Sequence, residues 1–290
     1  MHIGRRIRDI GRPFLSLEFF PPSDEGQLPG FYGTVEKLRA LDPLFVSVTS
    51  GAGGSRRRNA LAVTSEMARR GLNVMAHLTC VGAEPAAIAD FLQDLRKAGV
   101  ANVLALRGDP PRDGSWAPGM GRFQYAADLV AFVREHDPDM GIGVAAYPGP
   151  HPESPSFTAD RDHTAQKIRV GADFVVTQLF FDAREYVDLV ESLRARGVDA
   201  PVVPGILPIQ SFDSLRRVLS MCGANIPGNL YLQLEEADRK GGYEAVREAG
   251  RNFAVDQIRR LLDYGAPGIH LYTLNKSDLC LQIAGEAGLA

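Results

Sequence analysis

The sequence predicts an α/β chain folded as a single-domain (β/α)8 TIM barrel over residues 1–290. Three observations lead there. Short β-prone runs alternate with helix-spaced segments eight times, at a repeat of roughly thirty residues, the size of a strand–helix unit. The runs are almost continuously apolar, as parallel strands covered by helices are. No G-x-G-x-x-G follows any run, which removes the usual dinucleotide fingerprint of the rival open, doubly wound sheet.

The first strand is the run from Leu15 to Phe20, stopped by Pro21 and Pro22, which cannot donate to a ladder. It holds one carboxylate, Glu18, among apolar residues and Ser16. A carboxylate so placed needs partners, a raised pKa or a wet cavity, unless it simply reaches solvent at the strand end. Leu44–Thr49 is the second strand, closed by the Ser50–Gly54 turn. Asn73–Thr79, Asn102–Leu106, Gly141–Tyr147, Asp173–Phe181, Pro201–Leu207 and Gly268–Leu274 complete the set.

Between them lie helical spacings. Ile88, Phe91, Leu92 and Leu95 share one face, as do Ala126, Leu129, Val130 and Val133. Tyr186, Leu189, Val190 and Leu193 repeat the pattern, followed by Leu215, Val218, Leu219 and Cys222, and Pro85 suits a first helical turn. Two connections exceed what a barrel needs: Arg107–Gln124, rich in Gly and Pro, and Gly223–Tyr243, which carries Leu230, Leu232 and Leu234. Connections of this length are lids, extra helices or tolerated surface insertions.

Composition excludes several classes. A net charge of -3 leaves no basic surplus for nucleic acid, and the one basic cluster, Arg56–Arg58, reads as a solvated helix start. Three scattered cysteines, an odd number, fit a reduced cytoplasmic protein rather than a disulfide scaffold. No apolar core for a signal peptide and no membrane-spanning run is present, and the six histidines fall in no metal-binding spacing, so no metal is expected.

In a barrel the carboxyl ends of the strands face the active site. Read in turn, those ends give Glu18, Thr49, His77 with Thr79, Arg107 to Asp109, Tyr147 with His151, Gln178, and Tyr272 to Lys276. Any one of these is compatible with a scaffold role; together they describe a wide, polar mouth of mixed charge. Asp160, His163 and Lys167 form a polar stripe at the start of the next helix. The pattern allows two readings, a solvent-facing stripe or a grip on the phosphates, ribose or base of a nucleotide.

At these positions the chain resembles the methylenetetrahydrofolate reductase family. The resemblance rests on Ser16–Pro22 (S-L-E-F-F-P-P), Phe45–Thr49, Ala76–Thr79, Ala105–Pro111 (A-L-R-G-D-P-P), Ala145–Pro148 with His151–Glu153, Thr177–Phe181, Pro204–Pro208 and Tyr272–Asn275. These blocks keep the family's order along nearly the whole chain. The resemblance implies a barrel that carries FAD and uses NADH or NADPH to reduce methylenetetrahydrofolate to methyltetrahydrofolate. It makes Glu18 the general acid that protonates a folate nitrogen and opens the five-membered ring to an iminium, with burial raising its pKa for the task. Asp109 matches a carboxylate near flavin and pterin. Ala52, His77, Arg107, Gly108, Asp109, Ala126, Tyr147, His151, Asp160, His163 and Lys167 match flavin-binding positions. Thr49 and Gln178 match nicotinamide contacts, while Asp109, Gln178 and Lys276 match folate contacts.

Family members commonly form homodimers or homotetramers. Two departures stand out: Ser50 where many members have Tyr, and Val218 where some have an aromatic. The resemblance also implies that the regulatory extension of eukaryotic relatives is lacking. Two other readings keep the barrel: a flavin-free reductase passing hydride directly from nicotinamide, and a non-catalytic folate-binding barrel in a larger complex.

Overall fold

The computed structural model describes residues 1–50, 54–110, 117 and 119–289. Among them nine parallel strands form one sheet: β1 (Phe14–Phe19), β2 (Phe45–Val48), β3 (Val74–Thr79), β4 (Asn102–Leu106), β5 (Gly141–Ala146), β6 (Phe174–Thr177), β7 (Val202–Val203), β8 (Gly205–Ile206) and β9 (Gly268–Tyr272). The order β7-β6-β5-β4-β3-β2-β1-β9-β8 wraps into a ring. β7 pairs only with β6 and β8 only with β9, because Pro204 between them has no N–H to carry the ladder through. The two short strands are halves of one stave, so the eight expected staves are present.

Near the break, side chains replace main-chain bonds. Thr177 Oγ1 accepts from Gly205 N at 2.9 Å, and the Tyr272 hydroxyl donates to Thr177 O at 2.6 Å. A Cβ on Gly205 would lie 2.4 Å from Thr177 O, so only glycine permits this approach.

The period-2 geometry of each strand divides its side chains between helices and barrel interior. On β1, Leu15, Leu17 and Phe19 join the large core under the helices, whereas Phe14, Ser16 and Glu18 point inward. Helices α2 (Leu28–Arg39), α3 (Gly54–Arg69), α4 (Pro85–Lys97), α5 (Ala126–His136), α6 (Phe157–Arg169), α7 (Ala183–Ala195) and α10 (Ser277–Glu286) surround the sheet. α4 buries Ile88, Phe91, Leu92 and Leu95 as its spacing predicts. α3 does start beside Arg56–Arg58, whose side chains lie outside the described residues.

The interior is graded along its axis. Its amino end is apolar: Phe14, Phe45, Met75, Leu104, Phe174, Val176 and Val203 pack together with Ile3 and Ile7. Those two isoleucines come from α1 (Ile3–Asp9), a short helix that plugs the barrel and that the sequence reading lacked. Buried Asn102 fastens the plug, accepting from Ile3 N and donating to Met1 O, both at 2.8 Å. Toward the carboxyl end the interior turns polar.

The expected long connection Gly223–Tyr243 is largely helix. α8 (Phe212–Cys222) ends at Gly223 in the left-handed region, and α9 (Gly228–Asp263) begins five residues later, kinked at Gly242 (φ 59°, ψ -145°). Leu230 and Leu234, four apart, are buried in a separate core with Leu207, Phe212 and Val246, while Leu232 faces solvent at 64% exposure.

Candidate active site

The polar end of the interior centres on Glu18, 6% exposed at the end of β1. Parallel pairing sets Glu18 beside Ser47 of β2 and Tyr272 of β9. Its Oε2 accepts from Ser47 Oγ at 3.5 Å and lies 3.3 Å from His77 Nε2 and 3.7 Å from His270 Nε2. His77 Nε2 is off the hydrogen-bond line, so this buried nitrogen has ion-pair proximity but no aligned partner among the described residues. His270, fully buried, stacks on Phe45 with 5.8 Å between ring centres and meets Tyr272 edge-on.

Ser16 explains how His270 is held. Its hydroxyl donates its one hydrogen to Ile269 O at 3.1 Å, so the 2.9 Å contact with His270 is donated by Nδ1–H of the ring. Nε2, facing Glu18 and Ser47, then carries a proton only when the imidazole is a cation.

Glu18 departs from expectation. Burial pushes its pKa up, as foreseen, but His270 and then His77 more than reverse that, and the carboxyl settles at about 2. Seen from Glu18 alone, an apolar strand suggests a neutral acid. The imidazoles supplied by β3 and β9 make it an anion.

A second group lines the mouth opposite. Arg107, just after β4, donates to Glu153 Oε2 at 2.7 Å, which raises the guanidinium's pKa and lowers the carboxyl's. His151 accepts from Glu153 N and packs edge-on against Tyr147, 4.6 Å between centres. Burial and then the Arg107 charge lower the His151 pKa. Tyr147 is pushed up by burial and hydrogen-bonds Gln178, whose Oε1 also accepts from Leu179 N at 2.9 Å. Tyr147, Gln178 and Leu179, with Glu185, Cys222 and Asn225, line a narrow crevice of about 10 Å³.

The Asp160, His163 and Lys167 stripe splits in the structure. Asp160 is buried against Arg161, 3.4 Å away. Lys167 is half-buried as a residue, and its enclosed ammonium donates to Ala145 O at 2.5 Å. Burial lowers its pKa to about 8, partly countered by Asp160. His163 is exposed and stacks on exposed Tyr125, 5.3 Å between centres. The stripe is therefore not one solvent face.

Other predicted positions are looser. Gly108 (φ 81°) has a conformation and a close approach that suit glycine, since a Cβ there would lie 2.9 Å from Thr79 Cβ. Asp109 is exposed beside Arg107, and Lys276 is exposed at the cap of α10. Ala126 opens α5 next to Tyr125, and Thr49 is half-buried with its N–H on Phe19 O. Ala52 lies outside the described residues, as do parts of the Arg107–Gln124 connection. Ser50 is half-buried and Val218 packs into the α8–α9 core.

Sequence reasoning missed Ser16, Ser47 and His270. Strand parity could have found them, since each is an even step from an inward-facing strand-end residue.

A parallel barrel with a buried carboxyl–imidazole cluster at the carboxyl ends of its strands belongs to the TIM-barrel class, whose active sites lie at that end. Comparison with known proteins narrows this. The profile of the methylenetetrahydrofolate reductase family matches residues 3–288. The chain is 35% identical to the 5,10-methylenetetrahydrofolate reductase of Pectobacterium carotovorum subsp. carotovorum, covering 96% of this chain and 91% of that one. Its Escherichia coli K12 counterpart is 34% identical, with 96% and 92% covered. Against methylenetetrahydrofolate reductase 2 of Saccharomyces cerevisiae the identity is 35%, and the chain spans 46% of that protein's length. A Clostridium thermocellum protein, whose solved structure binds two copies of 5-methyl-5,6,7,8-tetrahydrofolic acid, superposes with a TM-score of 0.66 over 99% of this chain and 98% of that one. At 14% identity that match speaks for the fold alone. The chain belongs to the methylenetetrahydrofolate reductase family, and it is an oxidoreductase.

Proposed function

We propose that this protein, as one catalytic domain over residues 1–290, reduces methylenetetrahydrofolate to methyltetrahydrofolate with NADH or NADPH, using a bound FAD. The observation that carries this reading is the Glu18 carboxyl, held inside the mouth within 3.3 Å of His77 and 3.7 Å of His270.

Glu18 protonates a nitrogen of the substrate's five-membered ring and opens it to an iminium, which makes the one-carbon unit electrophilic. In the free site the two imidazoles hold the carboxyl in its ionised form. A bound pterin excludes water from the mouth, and burial favours the neutral carboxyl, so Oε2 takes up a proton as substrate seats. Tyr272, whose hydroxyl is tied to Thr177 O and whose pKa burial and then Glu18 push well up, stays neutral beside the acid.

The donor set fits a flavin dinucleotide. Arg107 and the enclosed Lys167 offer cationic donors for phosphate or ring oxygens, and the off-line His77 Nε2 has donor capacity to spare. The Tyr125–His163 stack offers an aromatic platform, and Gly108 lets main chain approach closely. Asp109, Ala52, Ala126, Tyr147, His151 and Asp160 complete the assignment. Thr49 and Gln178 serve the nicotinamide, and Asp109, Gln178 and Lys276 the folate. When bound, a flavin supplies a two-electron carrier between nicotinamide and the one-carbon unit.

Three free thiols support a reducing, cytoplasmic setting, and the family resemblance supports a homodimer or homotetramer, which light scattering on the purified protein would size. Glu18→Gln tests the reading: folate reduction should fall about 10²–10⁴-fold while NAD(P)H oxidation by an artificial acceptor persists. Full folate reduction by Glu18→Gln would refute the acid assignment. Absorbance bands of oxidised flavin in the pure protein are expected, and a colourless, active enzyme would refute the cofactor.

A further inference from the structure

Beyond Glu18 the two central staves are joined in an unusual way. β1 and β9 pair in register up to Glu18 and Tyr272, after which the β9 main chain turns aside. Thr273 Oγ1 donates to Glu18 O at 2.6 Å, with Thr273 N on the same oxygen at 3.3 Å. Asn275 then takes the main chain of Phe20 at both groups: its Oδ1 accepts from Phe20 N at 3.1 Å and its Nδ2 donates to Phe20 O at 2.7 Å. Asn275 N in turn donates to Thr273 Oγ1 at 3.0 Å, linking the two contacts.

The chain adopts strained backbone to achieve this. Leu274 (φ 47°) and Asn275 (φ 56°) are consecutive non-glycine residues in the left-handed region, two of the three such residues among those described. Phe20 is also the last residue of the run able to donate, since Pro21 and Pro22 follow. Strain of this kind persists only where surrounding bonds over-determine it, and here those bonds converge on the main chain of Glu18 itself and of Phe20, two residues on.

We infer that Thr273 and Asn275 are positioning residues that clasp the main chain of Glu18 and Phe20, and so set the height of the Glu18 carboxyl in the mouth. The inference deepens the functional reading above and rests on it. The groups that face Glu18 are Ser47 on β2, His77 on β3, and His270 and Tyr272 on β9, and the clasp fixes the carboxyl's distance from all of them.

The test uses the full chain carrying Thr273→Val, Thr273→Ser and Asn275→Ala, each alone and combined with Glu18→Gln. Misplacing a reacting group by about 1 Å can lower a rate up to 10²-fold, so Thr273→Val and Asn275→Ala should each lower kcat for methylenetetrahydrofolate about tenfold or more. KM should stay within about twofold, and Thr273→Ser, which keeps the donor, should remain near wild type. In the Glu18→Gln background, single-turnover rates should fall less than about twofold further, because the clasp has no acid left to position. Equal losses in both backgrounds, a change confined to KM, or an unchanged kcat would each overturn the inference. Titration of the carboxyl by ¹³C NMR gives a readout free of activity: the Glu18 midpoint should move up in Asn275→Ala as the imidazoles lose their grip. An unmoved midpoint also overturns it. A wild-type protein that does not reduce the folate sinks the functional reading instead, and the NMR titration then decides the clasp by itself.

Discussion

Ser16 and His270 meet at 2.9 Å beneath the mouth, and because Ser16 spends its hydrogen on Ile269 O, the contact dictates that His270 Nδ1 is protonated. The opposite nitrogen is thereby presented to Glu18 as the variable site. Ser16→Ala should leave a buried Nδ1–H without an acceptor, a loss of about 1–3 kcal/mol. A thermal melt should show it as a fall of a few degrees, and folate reduction should drop about tenfold as the ring loses its fixed tautomer. A melt and a rate equal to wild type would contradict the assignment.

The depressed Glu18 pKa makes stability depend on pH. The folded carboxyl titrates near 2 against 4.5 for a free one, so the unfolded chain binds more protons between those values. Stability from this group is complete above pH 4.5 and disappears as pH falls toward 2. Between pH 4.5 and pH 2 the wild-type melting temperature should therefore drop about 5 °C more than that of Glu18→Gln. Parallel curves for the two proteins would count against the buried ion pair.

Lys167 has the opposite character, since its ammonium is enclosed with one carbonyl and the nearby Asp160 charge to balance it. With the folded pKa lowered to about 8 from 10.5, stability should rise with pH across that window. Lys167→Met should remove that slope and raise the melting temperature of the cofactor-free protein by about 2–4 °C. The same change should weaken flavin retention about tenfold, measured by absorbance after dialysis. A destabilised Lys167→Met protein would show that the charge is better compensated than the contacts indicate.

Gly108 sits where β4 leaves the barrel, in a backbone conformation side chains rarely adopt and against Thr79. Gly108→Ala should cost about 1–2 kcal/mol and lower the melting temperature by several degrees. Arg107 and Asp109 flank it, so flavin affinity should fall as well. An alanine variant that melts and binds like wild type would mean that this exit loop relaxes freely.

The barrel was legible because two periodicities coexist in the chain, strand runs of apolar residues and helical faces such as Ile88–Leu95, and no rival fold places eight such pairs in this length. The plug α1 was not, since Ile3 and Ile7 are a single pair among charges and only the barrel's open end gives them a partner. The α9 segment lay within the long connection Gly223–Tyr243, for which an extra helix was one of the open readings; Gly242 kinks the helix there without ending it. Glu18 was legible as a lone carboxylate in an apolar strand, but its ionisation was not. That depends on a balance between burial and two imidazoles that reach it from other strands, and no local pattern reports such a sum.

Pro204 interrupts the ring at one place, where the wall is stitched by the Thr177 hydroxyl and the Tyr272 phenol instead of by peptide groups. Peptide stitching is blind to which residues are present; this seam is not. The closure of the wall at this point therefore depends on the identity of Thr177, Gly205 and Tyr272, while the other staves are held by ladders of peptide groups.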